Sequence, residues 1–161
     1  NLLDWRVQLE TLKAMKSEGR LRYIGVTTSH ARRHDELERI MAREPLDFVQ
    51  FTYNLADREA EGRLLPLAAE LGIAVVVNRP FDGGGLFGRV WNKPLPPWAG
   101  ELDCRNWAQY FLKFVVSHPA VTCTIPATSR ADHLAENMGA GLGRLPDAGE
   151  RRRMAEHFAS L

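Results

Sequence analysis

The sequence predicts an α/β fold of about four βα units, a parallel sheet with helices packed against it, and three observations carry that reading. Short apolar runs of strand character alternate with longer stretches of helical period, the pattern of βα units and a parallel sheet. The first three runs start near residues 23, 48 and 73, a spacing of 25 residues that suits one unit. The third run, Ile73-Ala74-Val75-Val76-Val77, is continuous and β-branched, as in strands buried on both faces. Four such units make either a small open sheet or half of an eight-stranded barrel, and periodicity alone leaves both open. No internal repeat is visible in the sequence, which argues against solenoid families.

Taken in order, residues 5–20 place Trp5, Leu9, Leu12 and Met15 on one face of a helix, with Gly19 as its terminator. A short strand is expected over 23–27. A helix over 35–43, carried by Leu37, Ile40 and Met41, must end before Pro45, because the residue preceding proline avoids the helical region. The second strand is placed at 48–52. A helix over 64–71 tolerates Pro66 in its first turn and closes at Gly72. After the third strand, residues 79–103 read as a long irregular stretch rich in glycine and proline. A strong apolar helix follows over 106–117, then a strand at 121–125. A helix near 130–142 and a basic helix over 147–159 complete the chain.

With 161 residues, 45% apolar and 25% charged, the chain has the composition of one globular domain. Its 21 basic residues against 20 acidic ones give no reason to expect a nucleic acid or an anionic membrane as partner. No apolar run approaches the roughly 18 residues that span a bilayer. Cys104 and Cys123 are too few and too scattered for a disulfide framework or a zinc site; they read as two reduced, packed thiols in a reducing, cytoplasmic compartment, with one structural bridge as the alternative. No signal peptide is visible, although the chain starts at Asn1 and a targeting segment could precede it.

The working residues of α/β folds sit at the carboxyl ends of strands. Here those ends carry Thr27-Thr28-Ser29-His30, then Gln50 with Tyr53-Asn54, then Asn78-Arg79-Pro80-Phe81, and finally Pro126-Ala127-Thr128-Ser129-Arg130. Small hydroxyl and amide groups can hydrogen-bond a carboxamide or a phosphate without adding net charge. At any one end such residues equally cap helices and form turns. Recurrence at four successive ends favours a shared ligand site.

Four stretches carry a resemblance. Residues 21–28, Leu-Arg-Tyr-Ile-Gly-Val-Thr-Thr, resemble the segment that forms the fifth strand of aldo-keto reductases. Residues 46–54, Leu-Asp-Phe-Val-Gln-Phe-Thr-Tyr-Asn, resemble the sixth, and residues 64–73 are similar to the helix leading to the seventh. Ile125-Pro126-Ala127-Thr128-Ser129-Arg130, followed by Leu134-Ala135-Glu136-Asn137, looks like the signature after the eighth. The resemblance covers essentially residues 1–161. It implies one partial domain, the C-terminal half of a (β/α)8 TIM-type barrel with strands five to eight and the terminal helices.

The resemblance also implies a nicotinamide cofactor and a small-molecule carbonyl substrate. Thr27 and Thr28 take the places of the residues that hold the nicotinamide carboxamide, and Gln50 takes the third contact. Asn78 stands where the family usually stacks an aromatic ring, with Arg79, Pro80 and Phe81 beside it. Gly83 opens the Gly83-Gly84-Gly85 run, placed where the family lays a loop over the pyrophosphate; by itself such a run is commonly just a flexible turn. Glu136 and Asn137 match the pair that grips adenine. Ala127 and His133 stand where a lysine and an arginine commonly bind the 2′-phosphate, so Thr128 and Arg130, on either side of the further cofactor-site candidate Ser129, are left to recover part of that contact. The cofactor expected is NADP, with NAD as the alternative.

The family's chemistry is hydride transfer from nicotinamide C4 to a carbonyl, with a tyrosine proton donor tuned by lysine, aspartate and histidine. By resemblance all four belong to the preceding half, and Asn1-Leu2-Leu3-Asp4 looks like the sequence just after that histidine. No catalytic residue is therefore expected in this chain, which alone should be inactive. Tyr23 and Tyr110 read as packing, whereas Tyr53 could line the site. His30, His34, His118, His133 and His157 lack metal-ligand spacing and read as caps or surface groups. Arg151-Arg152-Arg153 reads as a solvated face. Trp91, Trp98 and the segment after Leu145 are candidate liners of a substrate pocket. The alternative is a stand-alone, non-catalytic half-barrel acting as a nucleotide-binding or protein-interaction module. Either way, two strand edges and apolar surface are expected to need cover, from the missing N-terminal half or by self-association.

Overall fold

A computed structural model describes residues 2–29 and 33–161. Helix α1 (Trp5–Ser17) buries Leu9, with Trp5 and Leu12 partly buried on the same side. Strand β1 (Gly25–Thr27), α2 (His34–Met41) and β2 (Phe48–Thr52) follow. Helix α3 (Leu64–Leu71) closes at Gly72, whose φ of 68° is the left-handed conformation that glycine adopts without strain. Strand β3 (Ala74–Asn78) leads into a segment that is less irregular than expected. It holds 3-10 turns at Asp82–Gly84 and Pro97–Leu102 and a short helix, α4 (Gly85–Arg89).

Helix α5 (Trp107–Val116) starts at an Asn106 cap, whose side chain accepts from the Gln109 backbone N–H at 2.9 Å. Strand β4 is shorter than the 121–125 expected: only Cys123–Thr124 pair fully, flanked by Thr122 N–H donating to Val75 O and Ile125 N–H to Val77 O. Helices α6 (Ala131–Met138) and α7 (Ala148–Ala159) end the chain. Asp147 and Glu150 cap α7 reciprocally, satisfying two backbone donors at its start.

The strands form one parallel sheet in the order β1-β2-β3-β4. Register divides it into two faces. Val26, Val49, Phe51, Val75 and Val77 are buried in one hydrophobic cluster with Leu37 and Ile40 of α2, Leu64, Leu65 and Ala68 of α3, and Phe111 and Phe114 of α5. Their alternates Thr27, Phe48, Gln50, Ala74 and Val76 are only half-buried, and Cys123 is exposed. The β-branched run in β3 is therefore buried on one face, not both, because no helix of the described chain covers the other.

Three further expectations change. Tyr23 lies outside β1 and is 60% exposed, touching Phe48 edge-on at 5.7 Å. Both cysteines are free, but only Cys104 is packed; Cys123 sits on the uncovered face of an edge strand. Arg151 is not part of a solvated face: it is 7% exposed, with its guanidinium on the Tyr53 hydroxyl, the Glu61 carboxylate and the Phe114 ring. Among the described residues no helix is long and apolar enough to cross a membrane.

Candidate functional site

A cleft of about 880 Å³ opens at the carboxyl ends of β3 and β4. One wall is the turn after β3, with Arg79, Pro80, Phe81 and Gly83. The opposite wall is Ile125 to Thr128 after β4, together with His133, Glu136 and Asn137 of α6. Phe87, Val90, Trp91 and Lys93 close one end, and Trp107 and Ala108 of α5 form the floor.

The β3 turn is shaped by backbone conformation. Arg79 has a φ of 49°, a left-handed non-glycine residue directly before Pro80, held by its surroundings at some local cost. Its carbonyl accepts from Asn54 Nδ2 at 3.0 Å, while Asn54 Oδ1 accepts from the backbone N–H groups of Ala56 and Asp57, each at 2.9 Å. Gly83 has a φ of 62°, and a Cβ there would stand 3.3 Å from Arg79 Nη2. The glycine thus leaves room for the guanidinium, which lies 3.5 Å from Asp82.

The α6 wall is held from behind. Gln109 is buried on α5; its Nε2 donates to Glu136 O at 3.0 Å and its Oε1 accepts from Arg105 N–H at 2.9 Å. Lys113, fully buried one turn on, donates to Leu142 O and Arg144 O, each at 2.7 Å. Aromatic packing stiffens the floor: Phe81 and Phe87 centroids are 5.0 Å apart, Phe87 and Phe111 5.5 Å, and Trp107 stacks on Phe111 at 5.6 Å. Trp107 Nε1 donates to Lys93 O at 2.8 Å, and the Lys93 ammonium reaches the Leu161 carbonyl.

Of the residues expected at a cofactor site, the cleft gathers Arg79, Pro80, Phe81, Gly83, Thr128, His133, Glu136 and Asn137. Thr27 and Gln50 lie instead in a shallow depression on the uncovered sheet face, as direct register partners. Thr28 and Asn78 are buried at the strand ends. Ser129 and Arg130 fall outside the cleft lining, and the Arg130 guanidinium is turned onto Asp132, holding that carboxyl well below the usual range. His30 lies outside the described residues.

Some candidate liners do not line it. Tyr53 is fully buried and faces the helix layer, so it is not a site residue; burial, then the bond to Glu61, pushes its hydroxyl pKa far up. Trp98 packs against Tyr110, His157 and Arg153, away from the cleft. In the segment after Leu145, α7 docks behind α5, where Tyr110 donates to Met154 O and Phe111 meets Phe158. Trp91 does line the cleft and is 76% exposed. Phe87, Lys93 and Trp107 were not anticipated, because nothing local in an apolar helix start separates a cleft floor from core packing. Gln109 and Asn54 each brace a cleft wall through a partner 27 and 25 residues away, respectively, which spacing does not reveal.

Comparison with known proteins gives a consistent result. An uncharacterised oxidoreductase of Schizosaccharomyces pombe is 32% identical over 136 residues, spanning 83% of this chain and 41% of that protein. The NADH-specific methylglyoxal reductase of Escherichia coli is 35% identical over 98 residues, 61% of this chain and 28% of that enzyme. The holo form of an aldo-keto reductase from Bacillus halodurans superposes with a TM-score of 0.70 at 22% identity, covering 92% of this chain and 54% of that structure. The chain therefore spans about half or less of the length of the proteins it matches. The sequence model of the Aldo/keto reductase family matches residues 4–150, and the chain belongs to that family.

Proposed function

We propose that this chain is the dinucleotide-binding half of an NAD(P)H-dependent oxidoreductase that reduces aldehydes or ketones to alcohols. The single observation behind this reading is the cleft, which brings Pro80, Gly83, Thr128, Glu136 and Asn137 together from segments far apart in sequence. The bound dinucleotide supplies the hydride; the chain's residues bind and orient it. The volume falls within the range typical of small-molecule sites. Arg79 offers a cation at the Gly83 turn. Glu136 and Asn137 stand at the adenosine end, and Thr27, Thr28 and Gln50 supply polar groups for the nicotinamide carboxamide on the adjoining rim.

NADP is the cofactor proposed, with Thr128 and Arg130 as its 2′-phosphate contacts, and NAD is the competing choice. The Asp132 partner of Arg130 and the NADH specificity named for the Escherichia coli relative both favour NAD. The uncovered sheet face fits four further βα units, completing an eight-stranded (β/α)8 barrel and supplying the proton-transfer residues. A stand-alone module associating through the same face is the second reading. Free thiols at Cys104 and Cys123 suit a reducing, cytoplasmic compartment.

The test is a fluorescence titration of the chain with NADPH, NADH and ADP-ribose, using Trp107 and Trp91 in the cleft as reporters. Quenching that saturates with all three is expected, without reduction of a carbonyl substrate by the chain alone. Absence of saturable binding by any of them would overturn the reading.

A further inference from the structure

At the position where an aromatic cofactor contact was expected, both ends of the Asn78 carboxamide are already engaged. Its Oδ1 accepts from Thr52 Oγ1 at 2.8 Å, and its Nδ2 donates to Thr28 O at 2.9 Å. Thr28 N–H in turn donates to Gln50 O at 2.8 Å. The three side chains are well buried, with Asn78 8%, Thr52 3% and Thr28 6% exposed. Thr52 and Asn78 are register partners, one step beyond Gln50 and Val76 on the same sheet face. The bond to Thr28 therefore reaches from β3 across β2 to the end of β1, which is not its neighbour in the sheet.

We infer that Asn78 is a positioning residue: with Thr52 it clamps the ends of β1, β2 and β3 and so fixes the rim formed by Thr27, Thr28 and Gln50. The inference rests on the dinucleotide reading of the cleft. A buried carboxamide with both ends bonded leaves little freedom to serve a ligand, and replacing either partner leaves a buried polar atom unpaired. The rim carries three polar groups from two strands, so a small shift of one strand end misaligns the set. The adenosine wall on α6 is fixed separately, by Gln109 donating to Glu136 O, with Lys113 holding the segment that follows α6. Loss of the clamp should therefore weaken whatever the rim holds and spare the α6 end.

The test measures dissociation constants of wild type, Thr52→Val, Thr52→Ser, Asn78→Ala and the Thr52→Val/Asn78→Ala double variant. The probes are NADH and ADP-ribose; only the first carries a nicotinamide ring. Thr52→Val should weaken NADH roughly tenfold, the worth of one buried hydrogen bond, and Asn78→Ala, which removes two, at least as much. ADP-ribose should change less than about twofold, the double variant should be no weaker than Asn78→Ala, and Thr52→Ser should bind like wild type. If Thr52→Val binds NADH as wild type does, Asn78 does not act through Thr52 and the inference fails. Equal loss of ADP-ribose, or a variant that fails to fold alongside a folded but equally weak Thr52→Ser, overturns it as well. A wild type that binds neither probe, nor NADPH, overturns the dinucleotide reading itself, a distinguishable result.

Discussion

The informative residues are polar ones taken out of water, because each must find a partner or destabilise the fold. His118 accepts from Ala120 N–H through Nδ1 at 3.2 Å and meets Tyr53 edge-on at 5.8 Å. Burial first, then the nearby Arg151 guanidinium, hold its pKa below the ordinary histidine value. The unfolded chain then binds a proton more readily than the folded one, so stability rises with pH across this window. As pH falls below about 6.5, the unfolded-state value, the folded state should lose stability until the depressed folded value is passed. Urea unfolding at stepped pH is expected to show a steeper decline from pH 7 to 5 for wild type than for His118→Gln. Parallel profiles would assign the pH dependence to other groups.

Among the elements, α7 depends most on tertiary partners. Its start is legible in the sequence, since Asp147 and Glu150 have the spacing of a capping box. Its docking is not. The Arg151-Arg152-Arg153 run has the composition of a solvated face, yet the helix turns Arg151 inward and places Arg153 over Trp98. Arg151 thereby joins α7 to Tyr53 at the end of β2 and to Glu61 in the following 3-10 turn. Removing one partner of such a group strands the others. Arg151→Leu should cost about 2 kcal/mol, below the usual figure for a fully buried pair because Glu61 is partly solvated. Chemical denaturation is the measurement. The Arg151→Leu/Glu61→Gln double variant should cost less than the sum of the two single changes, and strict additivity would show that the contact is not energetically coupled.

For the molecule as a whole, the decisive feature is a sheet with one face packed and one bare. Val75 and Val76 are neighbours in β3 with the same side chain, but Val75 is fully buried and Val76 is not. Val75→Ala should cost about 2 kcal/mol and Val76→Ala under about 1 kcal/mol in this chain, read from urea midpoints. Equal costs would mean that the second face is covered in solution. The bare face and the free edges of β1 and β4 also predict association. Sedimentation over a concentration series should show species above 18.2 kDa; a monomer throughout would count against an exposed half-sheet.

Alternation of apolar runs, proline and glycine punctuation and side-chain period are local properties. They are why the order of elements, the limits of β2 and α3 and the residues at the strand ends could be read directly. Arg79 was legible as a candidate because strand ends converge in any parallel α/β sheet, whereas Gly83, Glu136 and Asn137 were singled out only through the family resemblance; all four line the cleft. What the tertiary structure decided is where equivalent side chains point. Tyr53 turned to the core, Arg151 turned inward, Cys123 was left exposed, and Asn78 was drawn into a clamp with partners 26 and 50 residues away. Each outcome depends on which surfaces meet across long sequence separations, and hydrogen bonds and burial at that range leave no periodic trace in the chain.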